Sequence, residues 1–537
     1  MKSQNINGSA NIQKRLVVIE EIPRPCAQPL INSQVTDKIE AYVLKIPTQS
    51  ISVSILIKIQ GAIIMKILLI AMPDTISALD ALMRIPNLGL CSIAGNLKGH
   101  TVRVVDLVFH HHDIRCYLEG ILRDFQPEIV GLSAMSYQYA SACRVSQICR
   151  EIQPEVKVVL GGYHATLMNY EIGASPHKEL FDFLIRGEGE STFQRLMNEL
   201  SFGSRDFIGV LGLSYLKDGQ FYHNSDAPLI NLDTLKLPDR DCRLLDQAQF
   251  MGQPFDCVET SRGCTVGCHF CSIGVMYGRT VRMFTIERVI TDLKRLKERG
   301  KQGIFFVDDN ITLNVPRLKT LCESIVNEKL NTMSYVIQAS VPGIASDTEL
   351  AKCLKRAGFN WVFLGIESGI QRNLESMGKK GILDNTLRAI SLLKNQGIGV
   401  FGGIIIGHPE DTLEDIRSTY QFALDSGVDH PIIQCLTPYP KTQTRQELLD
   451  RNLITNTEDY SLYNGFTCNV RTKYLSNRQL NRAIFWNGLR LYFNARYLSR
   501  SRFWHYRLSI VPALLVNNIS YLTGALRGRI FTSRHRW

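Results

Sequence analysis

Residues 257–271 read Cys257-Val258-Glu259-Thr260-Ser261-Arg262-Gly263-Cys264-Thr265-Val266-Gly267-Cys268-His269-Phe270-Cys271. The stretch predicts a strand over Cys257–Ser261, followed by a loop with three cysteines crowded into eight residues. A structural zinc site asks for four ligands, commonly two pairs of close cysteines, and no second pair follows at the expected distance. Three thiolates on one loop can hold three irons of a 4Fe–4S cluster and leave the fourth open. The remaining eleven of the fourteen cysteines are scattered singly and read as small buried hydrophobes in a reducing cytoplasm.

Downstream of this loop, apolar runs alternate with helical periods. Strands are expected at Gly303–Val307, Ser334–Gln338, Trp361–Gly365, Val400–Ile406 and His430–Cys435. With the first strand these make six units in one register, a partial (β/α)6 barrel over residues 254–440 with chemistry at the carboxyl ends of its strands. Upstream, residues 65–205 carry five expected strands starting with Lys66–Ala71, an α/β pattern that fits a flavodoxin-like (Rossmann-like) domain. Its ligand would lie beyond strand ends that read Ser133-Ala134-Met135-Ser136, Gly161-Gly162-Tyr163-His164 and Arg186-Gly187-Glu188-Gly189. Residues 206–253 read as a connector containing a hairpin around Asp218-Gly219. Residues 1–64 read as a poorly ordered extension ahead of a natural start at Met65, and residues 441–537 as a basic, mainly helical region.

Among 537 residues, 61 Lys and Arg face 50 Asp and Glu, a net charge of +11. An apolar share of 45% excludes a disordered chain, and no long apolar spans mark a polytopic membrane protein. From Arg471 to Trp537 twelve Arg and one Lys meet no acid, so this tail carries +13 and the preceding residues −2. Three readings of the tail stand: a helical cap with solvated arginines, a peripheral contact with a membrane, and, least favoured, nucleic acid. The uncharged stretch Leu508–Leu526 nears a bilayer span in length, but Pro512, Asn517, Asn518 and Gly524 argue against a committed transmembrane helix.

The cysteine loop, with the strand before it and the repeat behind it, resembles that of the radical S-adenosylmethionine (SAM) superfamily. The likeness covers Cys257 to about Cys435. It implies that Cys264, Cys268 and Cys271 ligate a 4Fe–4S cluster whose open iron chelates SAM, and that reductive cleavage yields a 5′-deoxyadenosyl radical. It places Phe270 near the adenine. Asp308-Asp309-Asn310 stands where many members have Gly-Gly-Glu, and a carboxylate there can still pair with the SAM ammonium. Glu367-Ser368 resembles the segment that binds ribose hydroxyls, and the run from Gly402 to Glu410, with Gly403 and Gly407, the segment beside the adenine. Taken singly, Asp308 and Asp309 would equally cap a helix, Glu367 would equally be a solvated strand end, and the glycine run an ordinary buried strand.

A flavodoxin-like domain ahead of such a barrel resembles the cobalamin-binding subclass of the superfamily. Leu88 and Gly89 match its Pro-x-Leu-Gly-Leu opening of the first helix. Ser133, Ser136, Gly161, Gly162, His164, Gly187, Glu188 and Gly189 fall on loops that in the family surround the corrin ring and its nucleotide tail. No Asp-x-His-x-x-Gly motif follows Asp106. His110, His111 and His112 have the wrong spacing and read as a solvated loop, so the resemblance implies cobalt without a histidine lower ligand. The residues by themselves leave FMN or a nucleotide open.

The resemblance implies an enzyme, the cysteine usage and the lack of a signal peptide point to the cytoplasm, and the basic tail to association with a membrane. The leading reading is a cobalamin-dependent radical SAM C-methyltransferase that acts on an unactivated carbon of a small, lipophilic molecule and uses an external electron donor such as flavodoxin or ferredoxin. A ring-forming, ring-contracting or oxidative enzyme with the same cofactors is the alternative. A cobalamin- or metal-sensing module docked on nucleic acid is the non-enzyme alternative.

Overall fold

The computed structural model describes residues 63–74, 84–110, 113–204, 206–250, 252–379 and 382–500. Most of the expected N-terminal extension, His111, His112 and the stretch Leu508–Leu526 lie outside the described residues.

The first half is a parallel sheet of β1 (Lys66–Ala71), β2 (Thr101–Asp106), β3 (Ile129–Ser133), β4 (Lys157–Gly161) and β5 (Phe183–Ile185), in the order β2-β1-β3-β4-β5. These strands are nearly continuous apolar runs because helices cover both faces. Their carboxyl ends come level, Ala71 opposite Ser133 and Ser133 opposite Gly161, so the loops that follow share one rim. Two antiparallel strands, β6 (Leu213–Lys217) and β7 (Gln220–His223), extend the same sheet. The expected hairpin is therefore part of this domain, and the boundary expected at 205 cuts the sheet. Three β-strands of register cannot be read from a turn signal alone.

The second half begins with β8 (Gln249–Phe250) and β9 (Gln253–Val258). A short antiparallel ribbon, β10 (Ser261–Arg262) with β11 (Arg282–Met283), flanks the cysteine loop. The parallel strands β12 (Gly303–Phe306), β13 (Ser334–Ser340), β14 (Phe359–Glu367), β15 (Gly399–Ile406) and β16 (His430–Cys435) complete a sheet ordered β16-β15-β14-β13-β12-β9-β8. Alternate residues divide its core. Ile304, Phe306, Tyr335, Val362 and Val400 meet the outer helices. Phe255, Cys257, Val336, Trp361 and Phe401 form a second, inner cluster on the concave face, and Leu88 of the first domain packs into it.

Two arginines of the connector tie these parts. Arg240 reaches Asp292 at 2.7 and 3.0 Å and the Cys257 carbonyl at 2.7 Å. Arg243 grips Asp256 at 2.6 and 3.1 Å and donates to the Cys91 sulfur at 3.1 Å. Its neighbour Leu244 donates to the Val104 carbonyl, which lays the connector along β2.

Past the barrel, helices Gln443–Asp450, Asn477–Tyr492 and Ala495–Arg500 meet the expectation of a helical region only in part. Residues 451–476 are irregular, because Asn456, Asn464, Asn469 and Asn477 bond backbone groups there in place of helical partners. Among the described residues no helix is long and apolar enough to cross a membrane.

Asp256 is fully buried between two arginines. Asp256→Asn strands a buried cation and is expected to cost on the order of 3 kcal/mol, read as a lowered urea midpoint with an unchanged slope.

Candidate active site

The cysteine loop leaves β10 through Gly263. This residue has φ +92°, and a Cβ there would meet the Thr280 carbonyl at 2.4 Å, so the turn admits glycine alone. Cys264, Cys268 and Cys271 are half-buried and carry no disulfide. Burial raises all three thiols, Cys271 to about 12; Asp309 adds to this at Cys264, Glu367 and Cys264 at Cys268, and Cys268 at Cys271, while beside Cys264 and Cys268 Lys379 works the other way. The group is thus protonated until a metal displaces the protons. Three close thiols on one loop, each free and none sealed in the core, are a donor set that fits three irons of a cluster. Among the described residues no three His, Cys, Asp or Glu side chains converge as they would round a single ion. Phe270 lies against the barrel core, and His269 is fastened by its amide to the Met377 carbonyl at 3.1 Å.

The expected SAM residues divide into two groups. Glu367 ends β14 beyond a register shift, at φ +66°, and pairs with Lys379 at 2.6 Å. Asp309 accepts the Gly263 amide at 3.0 Å, beside the root of the cysteine loop. These two carboxylates and Lys379 form the polar rim around the thiols. The others have structural tasks. Asp308, fully buried, accepts from the Thr260 amide and hydroxyl and from the Ser261 hydroxyl, and burial raises it to about 6. It therefore ties the start of β10 to the end of β12 through its own hydrogen bonds. Asn310 caps the next turn through Thr312 while lying beside Cys264. Buried Ser368 accepts the Ile370 amide. Gly403 makes room for the Phe363 ring, and Gly407 turns the chain at φ +85°, donating to Asp411 beneath Leu480.

In the first domain, Asn87 caps the helix that Leu88 and Gly89 open, accepting the Leu90 amide at 3.0 Å. Ser133 ends β3, Ser136 is buried in the next turn, and Gly161 ends β4. A Cβ on Gly161 would meet nothing nearer than 3.9 Å, so the rim is open there. Gly162 differs: at φ +91° its Cβ would strike the Ala134 backbone at 2.8 Å. His164 is buried, its Nδ1 has no hydrogen-bond partner, and burial lowers it to about 4. It lies between Tyr139 and Tyr460, at centroid distances of 4.2 and 5.3 Å. An open glycine rim and an orphaned buried nitrogen fit a large flat ligand at these strand ends. His110 is not the solvated residue expected: it stacks on Tyr117 at 3.5 Å and burial lowers its pKa.

The two sites are clamped together by residues that motif reading assigned otherwise or missed. Glu188, expected at the corrin, is buried and held by Arg262 at 2.9 Å and Arg282 at 2.8 Å. Burial alone would raise it, but Arg282, the Ile230 amide and Arg262 together hold it below the usual carboxylate range. Arg262 also reaches Glu190 at 2.7 Å and Glu259 at 2.8 Å. Gly187 and Gly189 let the Glu188 loop pass, the latter against Ile93. Tyr163, following Gly162, opens a short helix that packs against Ile273–Tyr277, just past Cys271, and burial raises its hydroxyl well above the usual value. No spacing pattern marks Arg262, Tyr277 or Lys379, and Tyr163 falls in the glycine-rich strand end with no role of its own assigned; only the proximity of Arg262 to Cys264 in sequence could have drawn attention to it.

Cys268→Ala leaves two thiolates of the triad, and iron bound after anaerobic reconstitution should fall to background while circular dichroism is unchanged. Gly161→Leu should lower cobalamin uptake roughly tenfold or more with iron retained. Gly162→Leu, by contrast, should destabilise the fold itself, because the obstruction there is the Ala134 backbone.

Comparison with known proteins agrees with this geometry. Residues 76–197 match the B12 binding domain and residues 258–423 the Radical SAM superfamily. An uncharacterized methyltransferase of Pyrococcus horikoshii is 32% identical over 84% of this chain and 97% of its own. The anaerobic magnesium-protoporphyrin IX monomethyl ester cyclase of Rubrivivax gelatinosus is 27% identical over 70% of this chain and 67% of its own. In fold, the chain is similar to the radical SAM methyltransferase TsrM of Kitasatospora setae, solved with cobalamin and a [4Fe-4S] cluster. The TM-score is 0.66 at 15% identity, over 86% of this chain and all of the other. The chain belongs to the cobalamin-binding radical SAM enzymes, whose cofactors are a 4Fe–4S cluster, SAM and cobalamin.

Proposed function

We propose that the protein transfers a methyl group to an unactivated carbon of a small, lipophilic molecule. When bound, the cluster and SAM supply a 5′-deoxyadenosyl radical and cobalamin supplies the methyl group. The observation that carries the reading is the packing of the two cofactor loops: helix Tyr163–Leu167, next to the glycine rim of the first domain, lies against Ile273–Tyr277, which directly follows Cys271, and Met276 of that turn packs on the first domain's core. A substrate held between them would meet both cofactors without moving through solvent.

In this reading Cys264, Cys268 and Cys271 hold the cluster. Lys379 and Glu367 orient SAM by its charged and hydroxyl groups, and Ser133, Gly161 and His164 support the corrin. Phe305, Val307, Phe363 and Ile432 continue the inner apolar cluster, which favours an apolar substrate and excludes water from a radical site. A one-electron donor of the flavodoxin or ferredoxin class would dock where the cysteine loop meets solvent, at exposed Thr265 and Val266. The similarity to a cyclase favours a second reading, radical chemistry with the same cofactors and no methyl transfer.

Anaerobic turnover with reductant, SAM and cobalamin separates the two. Methyl transfer predicts 5′-deoxyadenosine together with S-adenosylhomocysteine. 5′-Deoxyadenosine without S-adenosylhomocysteine would favour the cyclase-like reading, and absence of both products would overturn each.

A further inference from the structure

Helix Asn477–Tyr492 packs one face on the barrel. Leu480, Ala483 and Leu491 join the barrel core, Leu480 lies against Gly407, and the Tyr420 hydroxyl donates to the Ile484 carbonyl at 3.2 Å. The opposite face carries Arg478, Arg482, Trp486 and Arg490, four exposed residues at intervals of four. Such a spacing stacks them in a single stripe about 18 Å long. One turn on, Phe493 is exposed to the same 58% as Trp486.

This stripe is unlike an ordinary solvated face. The helix has no acidic residue, and Arg478, Arg482 and Arg490 form no ion pair among the described residues. Like charges four apart on a helix cost stability, and an acid at any of these positions would relieve them. Arg496, just beyond, does have such a partner, Asp425 at 3.0 Å. The Trp486 indole, edge-on to Phe485 at 5.2 Å, and the Phe493 ring are each left more than half in water. Guanidinium groups left without carboxylates suit phosphate, which they bind bidentately, and the rings suit a layer that is apolar on one side and wet on the other. The headgroup region of a bilayer meets both needs, with the helix lying flat.

We propose that this face of helix Asn477–Tyr492 docks the enzyme on an anionic lipid bilayer, with Trp486 and Phe493 entering the interface and Arg478, Arg482 and Arg490 on lipid phosphates. The sequence continues with the same sign of charge to Trp537, which adds to the attraction. The inference goes beyond the reaction and holds whichever chemistry the site performs.

Co-sedimentation of the full chain with vesicles tests it without cofactor loading or turnover. Partition onto phosphatidylcholine–phosphatidylglycerol vesicles should exceed that onto phosphatidylcholine alone and should weaken with salt. The triple variant Arg478→Gln/Arg482→Gln/Arg490→Gln should lose roughly a hundredfold, about fivefold for each arginine. Trp486→Ala should lose the part of the binding that survives at high salt. These residues are exposed, so thermal unfolding should match the wild type and serve as the control. Equal partition of the triple variant and the wild type would overturn the proposal, as would equal partition onto both vesicle types. Binding of single-stranded RNA in place of anionic vesicles would overturn it in favour of a nucleic-acid surface.

Discussion

The buried contact of Arg262 with Glu188 and Glu190, and of Arg282 with Glu188, holds the cysteine loop of the barrel against the rim of the first sheet. Arg262 sits two residues before Cys264, on the ribbon that launches the cysteine loop, and Glu188 sits on the rim of the first sheet. Burying such charges is costly, and the cost is offset only because nearly every acceptor is used. Glu188 takes both arginines and the Ile230 amide, and Glu190 takes Arg262 and the Ser92 hydroxyl. A planar guanidinium bonded to several carboxylates fixes orientation as well as distance, whereas an apolar seam would let the domains slide. The first domain contributes Leu88 to the inner cluster as well, so a directional ionic contact and a non-directional apolar one act on the same junction.

The barrel separates its structural and chemical charges in a comparable way. Asp308 is sunk beneath the rim, satisfied by hydroxyls and an amide, and ties two strands at the point where the cysteine loop departs. Asp309, one residue on, faces the loop. Glu367 is raised to the rim by a shift in strand register and a left-handed backbone, and Lys379 returns from the following helix to meet it. Below these groups the inner face is aromatic, with Trp361 and Phe401 at 4.7 Å. His430 lies against both rings, so this wall carries one polar ring among its aromatics.

The cysteine positions follow the same division. Cys264, Cys268 and Cys271 stay half-exposed on a glycine-relieved loop, where protons can leave as metal enters. Cys435 and Cys468 lie 2.8 Å apart in the core, and Cys91 is buried under Arg243. Spacing in the chain sets the three loop thiols apart; most of the others among the described residues are buried, while Cys116, expected to be buried, is exposed and Cys242 and Cys353 are half-buried.

The local sequence by itself determined the architecture and the cluster. Strand and helix periods depend on which neighbouring residues are apolar, and a metal loop is a short-range motif, so β1, β3, β16 and the Cys264–Cys271 loop were legible within a residue or so. Glycines at strand ends marked the rim for a related reason, because backbone conformation is a local demand. Tertiary structure alone decided what the charged residues of those motifs do. Glu188 and Asp308 read as ligand groups in their motifs, yet their partners come from Arg262, Arg282, Thr260 and Ser261, brought near by strand pairing and domain docking. Lys379 carries no motif at all, and Tyr163 stands in the glycine-rich strand end without marking a partner; their nearness to the cysteine loop exists only in the fold. Hydrogen-bond and charge partners are contacts between distant segments, and no window along the chain contains them.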